Sequence, residues 1–336
     1  MRRLIVFLFW AYSLMTLVSC QPQQPDYKKK LVVKSEPYHL EFDRYEDVLF
    51  NLDTADFQHE LMRIKDRYRV FLSGDLNNPD AVKYLNDFAT DPYCINMYHK
   101  VKATFPDLKV VQPMVEDVFA HFHYYYPDIK IPTEVFTCIT GISADVPAVQ
   151  IIDDKLVISL DWYLNGDEIY DQIGMPRYMS QRTNVATLAK NVANCLYMQY
   201  LYEWRKQGQV VGEMVFYGRM SFFVEAMCPD IQDTILLGYS NDQWRWAVEN
   251  EGQIWADIVG SRRLYDAGLD AYMMFFGDGP FTQAYGNESP SRLGEFFGLN
   301  IIRSYVANHD DFNLQLFMKR KDLQNIFQDS GYKPKK

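Results

Sequence analysis

The first twenty residues fix the compartment, and the compartment limits what the rest can be. Arg2 and Arg3 give a positive start, Leu4 to Leu17 is an almost unbroken apolar run, and Ser19-Cys20 closes it with small residues. These three zones make residues 1–19 a secretory signal peptide. An apolar run of this length is too short to cross a bilayer as a helix. The expectation is an exported domain rather than a cytosolic enzyme.

Leu17-Val18-Ser19-Cys20 resembles the bacterial lipoprotein box. The resemblance implies cleavage before Cys20 and a lipid anchor on Cys20, with palmitate among its chains. Gln21, rather than Asp, follows the cysteine, which implies the outer membrane. No acidic run stands beside Cys20, so the domain is expected to face the periplasm. Gln, Pro and Lys dominate residues 21–37, with a solvated Lys28-Lys29-Lys30 run. Such composition buries little apolar surface, so residues 20–40 are expected to be a flexible tether. Residues 41–325 are expected to form one domain, and residues 326–336 a frayed end.

Composition bounds the domain. Apolar residues make up 48% of the chain and aromatic residues 15%, enough for a large core rich in Tyr and Phe. The net charge of −10 argues against nucleic acid as a partner, since that needs a basic face. Apart from Cys20, the cysteines are Cys94, Cys138, Cys195 and Cys228. Their wide spacing, without a Cys-x-x-Cys pair, reads as four buried small hydrophobes rather than a disulfide scaffold or zinc ribbon.

Periodicity places the elements. Phe57, Leu61, Ile64, Tyr68 and Phe71 predict a helix over Asp53 to Phe71. Pro79 and Pro92 suit the first turns of two short helices ending near Phe88 and Phe105. Gln112 to Tyr125 predicts an amphipathic helix stopped by Pro127. Val135 to Thr140, Ala148 to Ile152 and Leu156 to Leu160 read as strands, the last two joined by a hairpin turn at Asp153-Asp154-Lys155. Further helices are predicted over Asn184 to Trp204, Glu213 to Met227 and Asn241 to Tyr265. Ser289-Pro290 reads as the start of a helix running to about Ala307. The sum is an α+β fold, mainly helical, with a small, mostly antiparallel sheet.

No motif for chemistry stands out. His121 and His123 are two apart on a predicted helix and point to different sides. The other histidines are His39, His59, His99 and His309, and no His-x-x-x-His pair occurs. Carboxylates gather in the second half: Asp161, Glu225, Glu249, Glu251 and Asp257. Paired carboxylates can serve acid–base chemistry or bind cations. Glu249 and Glu251, however, cannot share one helical face. Gly277-Asp278-Gly279-Pro280 lacks the Lys-Ser/Thr of a phosphate loop and reads as a turn. No Gly-x-Ser-x-Gly elbow is present. No cofactor is implied.

The order of several short runs is more specific than any one of them. Tyr124-Tyr125-Tyr126-Pro127 and Pro132 precede the hairpin. Leu160-Asp161-Trp162-Tyr163-Leu164-Asn165-Gly166 and Met175-Pro176-Arg177-Tyr178-Met179 follow it. Then come Asn250-Glu251-Gly252-Gln253-Ile254-Trp255, Gly279-Pro280-Phe281, Ser289-Pro290-Ser291-Arg292-Leu293-Gly294, and Gly298-Leu299-Asn300-Ile301-Ile302-Arg303-Ser304-Tyr305. Over residues 40 to 310 this order resembles the gliding-motility-associated lipoprotein B family. The resemblance implies a zincin-like layout: a strand over the site, an active-site helix with His-Glu-x-x-His, and a later helix giving an acidic third ligand. Asn184 to Trp204, the helix in that place, holds no histidine. Catalytic zinc needs three protein ligands and an open water position. The implied site is therefore degenerate, with Asp161, Glu225, Glu251 and Arg303 as residues of a leftover cleft.

The expected function is a non-catalytic, lipid-anchored envelope component that binds or assembles with envelope proteins. The alternative is an envelope hydrolase acting on peptide or peptidoglycan, with ligands from Asp161, Glu225, Glu251 and either His121 or His123. In the degenerate case Asn184–Trp204 and Asn241–Tyr265 are expected to pack beside the sheet, with Asp161 and Glu251 near one groove. Glu251 is expected to pair with Arg177, Arg182, Arg292 or Arg303, Arg303 above the others. Trp255 is expected in the core.

Overall fold

The computed structural model describes residues 26–334, except 32, 144–145 and 167. The signal peptide and Cys20 lie outside the described residues.

A four-stranded sheet divides two hydrophobic cores. Its strands are β1 (Glu41–Arg44), β2 (Glu134–Cys138), β3 (Val149–Ile152) and β4 (Lys155–Ser159), in the order β1-β2-β4-β3. Side chains alternate across the strands. Val135, Leu156 and Ile158 face the larger core, while Phe136, Cys138 and Val157 face the smaller one. The β3–β4 hairpin turns on Asp153 and Asp154, both with positive φ, 48° and 59°. This is the backbone a two-residue hairpin favours.

The sheet is mixed rather than mostly antiparallel. β2 runs parallel to both β1 and β4, and only β3 is antiparallel to its neighbour. The hairpin is legible in sequence, but its pairing is not. The chain leaving β2 first builds the edge strand β3 and only then returns as β4 beside β2. The strand β1, four residues long and followed at once by the helical segment Tyr45–Leu49, has too little apolar alternation to be read.

Ten helices of eight or more residues surround the sheet among the described residues: α1 (Phe57–Ile64), α2 (Pro79–Thr90), α3 (Pro92–Thr104), α4 (Val111–Tyr125), α5 (Leu188–Tyr200), α6 (Val210–Met227), α7 (Asn241–Gly260), α8 (Leu269–Phe276), α9 (Leu293–Ala307) and α10 (Leu323–Ser330). Pro79 and Pro92 occupy first turns, behind Asn78 and Asp91 side chains that accept from Asp80 N (2.9 Å) and Tyr93 N (2.8 Å). Ser240 and Gln243 close a capping box at α7. The helix expected over Asp53 to Phe71 is regular only through Ile64. Ser289 does not cap α9; its hydroxyl donates to the carbonyls of Thr282 and Gly286 and ties a loop, and α9 begins at Leu293.

α6 is buried on almost every side and forms the centre of the larger core. Its main partner is α9. Gly218 and Gly298 let the two backbones touch: a Cβ on Gly218 would stand 2.1 Å from the carbonyl carbon of Gly298, and one on Gly298 would stand 2.0 Å from Met214 O. Contacts this close require glycine.

Both ends of the domain extend further than sequence implies. The tether expected over 20–40 is ordered where it is described. Residues Asp26–Lys29 form a helical turn, Leu31 is buried, and the Lys30 ammonium donates to Val306 O (2.8 Å) and His309 O (2.7 Å) near the C-terminus of α9. Of the run that reads as solvated, Lys30 thus caps a helix end, and Lys28 stands 3.7 Å from Glu225 Oε1. The end expected to fray from 326 carries α10, with Ile326 fully buried and Phe327 against Trp255. Trp255 itself is half-buried, clamped by Phe297, Phe327 and Tyr332 rather than turned to the sheet.

Gly298→Ala should therefore force α6 and α9 apart and cost on the order of 1–3 kcal/mol, the usual overpacking penalty. Gly212→Ala, in open space on α6, should be neutral or stabilising by up to about 1 kcal/mol. Thermal melts of both variants check this; an unchanged midpoint for Gly298→Ala would contradict the close approach.

Candidate functional site

The α6–α9 contact brings two of the four cleft residues together. Glu225 on α6 is fully buried, and Arg303 on α9 nearly so. The guanidinium grips the carboxylate with two bonds, Nε to Oε2 at 3.0 Å and Nη2 to Oε1 at 2.9 Å. It also holds Asp233, with Nη1 3.0 Å from Oδ2. Tyr27 donates its hydroxyl to Glu225 Oε1 at 3.2 Å, and its ring lies under the guanidinium at 5.2 Å. Burial acts against the charge on Arg303, but hydrogen bonds and charge from Asp233 and Glu225 outweigh it and raise its pKa. Two carboxylates on one buried guanidinium make a closed ionic knot, with little free to act on a substrate.

Glu251 is not in that knot. Its Oε1 accepts from Asn300 Nδ2 (3.0 Å) and from the Tyr332 hydroxyl (2.6 Å). The ion pair expected between Glu251 and Arg303 is therefore a correction: neutral donors from α9 and the C-terminal segment serve Glu251. Two other arginines considered for it are engaged elsewhere. Arg182 donates to Gly238 O (3.2 Å) and Asp278 (2.9 Å), and Arg292 donates to Leu237 O (2.7 Å). With Lys190 on Ile235 O at 3.3 Å, they gather on the carboxyl end of the short helix Asp233–Leu237, where cations are favoured. Arg177 is exposed.

Asp161 sits just past the end of β4 and is fully buried. Its Oδ2 accepts from Thr140 N (3.0 Å) and Ile142 N (3.0 Å), while Oδ1 has no partner. Burial raises its pKa to about 6, against the pull of the Thr140 and Ile142 hydrogen bonds. Ile142 has φ of 58°, so the carboxylate pins a strained loop on the exit from β2.

The four residues do not share one cleft. Asp161 serves the β2 exit, Glu251 the C-terminal segment, and only Glu225 and Arg303 meet. Asn184–Trp204 does lie by the sheet, where α5 packs on β3, whereas Asn241–Tyr265 packs on helix Asp233–Leu237 and, through Trp244 and Trp255, on α9. His121 is buried, donating from Nδ1 to Asp117 O at 2.8 Å, and His123 is exposed. His121 lines a cavity with Asp117 and Cys228, away from the three carboxylates. Among the described residues no three His, Cys, Asp or Glu side chains gather as a metal ion would need.

A family model described as gliding motility protein GldB matches residues 26–334. The chain belongs to this lipoprotein family. No curated protein and no solved structure matches the chain. Among the described residues of this GldB-family chain, no helix is long and apolar enough to cross a membrane.

Several buried or half-buried polar residues escape sequence reading. Asp233 completes the Arg303 knot, and Tyr27 was concealed by the tether-like composition around it. Glu46 is buried under β2, accepting from the Thr137 hydroxyl (2.8 Å) and Arg44 Nε (2.7 Å). No spacing rule marks any of them.

Asp161 gives a pH test. Its folded pKa lies above the unfolded value of 3.8, so the folded state holds the proton more tightly between about pH 4 and 6. The stabilisation from a protonated Asp161 is present at low pH and lost as pH rises through about 6, an effect on the order of 2–3 kcal/mol. Asp161→Asn should remove this component. Its stability relative to wild type should rise between pH 4.5 and pH 7 in urea denaturation, and parallel pH profiles would contradict the assignment.

Proposed function

We propose that this protein is a non-catalytic, lipid-anchored component of the bacterial outer membrane. It faces the periplasm and binds or assembles with envelope proteins of a gliding or secretion apparatus. Family membership supports the lipoprotein and motility parts of this reading. The leader and Cys20 support the anchor, and Gln21 supports the outer membrane. The observation that carries the non-catalytic part is the engagement of the carboxylates: Glu225 with Arg303, Glu251 with Asn300 and Tyr332, Asp161 with the Thr140–Ile142 loop.

A zincin-like ancestry fits the same reading. β3 is an antiparallel edge strand, and α5 packs against it. Asn191 and Cys195 stand four apart on α5, the spacing of the two histidines in His-Glu-x-x-His. Asn191 donates to the Tyr163 hydroxyl at 2.9 Å, and Cys195 stands by the backbone of Ile151 in β3. An amide and a high-pKa thiol at that spacing make a packing face rather than a zinc site.

Metal analysis of the protein purified from native membranes tests the reading. Substoichiometric zinc after dialysis is expected. Near-stoichiometric, tightly held zinc would overturn the non-catalytic part in favour of an envelope hydrolase. For the anchor, Cys20→Ala should move the protein out of the membrane fraction, or leave it unprocessed, and abolish palmitate labelling. Wild-type fractionation and labelling would place the anchor elsewhere.

A further inference from the structure

Two open cavities run into one another around residues 230–244. One, of about 420 Å³, lies beside Trp244 and Lys28, and the other, of about 660 Å³, beside Tyr178 and Arg182. Gln232, Thr234 and Asn241 line both, so the two form one groove with a shared wall. That wall is held at each end. Arg303 ties the short helix Asp233–Leu237 to α9 (3.0 Å to Asp233), and Gly238, with φ of 70°, turns the chain into the capping box of α7.

What the groove offers is mostly uncharged. Arg182 is answered by Asp278 (2.9 Å), Asp233 by Arg303 and Asp242 by Arg245 (2.9 Å), and Lys28 stands 3.7 Å from Glu225. Asp230, exposed at the outer rim, is the exception. By contrast, Gln181, Gln232 and Asn241 are exposed in the lining, Thr234 is half-buried, and their side chains make no hydrogen bond among the described residues. An amide both donates and accepts, as a hydroxyl does, so open amides match a ligand rich in hydroxyls. Each chamber also holds an aromatic ring. Trp244 is half-buried and fixed edge-on to Phe296 at 5.7 Å. Tyr178 is half-buried with Arg182 over its ring at 5.6 Å, and no second ring packs on it among the described residues. Such rings pair an apolar face with a polar tip, which suits the C–H face of a pyranose.

We propose that this groove binds an uncharged glycan. One sugar lies against Tyr178 and another against Trp244, and the hydroxyl or acetamido groups between them bond to Gln232, Thr234 and Asn241. Both chambers fall in the range of about 300–1,000 Å³ usual for small-ligand sites, and an open groove lets a longer chain run on past its ends. Two envelope sources share this chemistry, the glycan backbone of peptidoglycan and neutral hexose polysaccharides. The envelope setting is the one proposed above, but the binding needs neither the lipid anchor nor the absence of catalysis.

Isothermal titration tests the groove, using the membrane-purified protein in a detergent without a sugar headgroup. The probes are chitotriose, maltotriose and the acidic trigalacturonate. Saturable one-to-one binding of at least one neutral trisaccharide is expected, tighter than that of trigalacturonate. Preference for chitotriose would assign the acetamido sugars of peptidoglycan, and preference for maltotriose the hexose chains. Tyr178→Ala should weaken binding about tenfold or more. If Tyr178→Ala does not fold, Gln232→Ala and Asn241→Ala, both at exposed positions, should each still weaken it severalfold, as loss of a neutral hydrogen bond does. No saturable binding of either neutral sugar, trigalacturonate bound as tightly, or affinity unchanged in the folded variants would overturn the proposal.

Discussion

The backbone contact between Gly218 and Gly298 sets the geometry on which the larger core depends. With no side chain between them, α6 and α9 approach until the Cα of one glycine lies against the carbonyl of the other. That spacing lets Glu225 and Arg303 meet with two bonds under 3.1 Å. A wider helix pair would leave both charges buried and apart, at a cost of several kcal/mol. The glycines and the ion pair are therefore one device: closeness makes the pair possible, and the pair makes a polar position in the core tolerable.

The same knot joins distant parts of the chain. Asp233 ties the helix after α6 to Arg303, and Tyr27 and Lys30 tie the first described residues to α6 and α9. At the other terminus, Tyr332 and Phe327 close over Glu251 and Trp255. Both ends of the described chain thus dock on the α6–α9 layer.

Much of the fold was legible in the sequence. Pro79 and Pro92 marked helix starts because a missing N–H costs nothing there, and the apolar periodicity of residues 112–125 and 184–204 marked α4 and α5. The β3–β4 hairpin was legible from Asp153-Asp154, residues that tolerate positive φ. Pairing was not, because parallel partners are chosen by tertiary packing rather than by local pattern. The site was legible only in part. Arg303 was expected to serve Glu251, but its anions are Glu225 and Asp233. Hydrogen bonds across 78 and 70 residues leave no local trace. The N-terminal segment misled because Lys30 reads as solvated even though its ammonium caps the end of α9.

The two bonds between Glu225 and Arg303 make them structural partners across the α6–α9 contact. A double-mutant cycle on stability measures it, with Glu225→Met, Arg303→Met and the double variant unfolded in urea. Arg303→Met should cost about 3–5 kcal/mol by leaving Glu225 buried without its guanidinium, and Glu225→Met less, because Asp233 still holds Arg303. The double variant should cost clearly less than their sum, a coupling above about 1 kcal/mol. Single variants as stable as wild type, or costs that simply add, would contradict the claim.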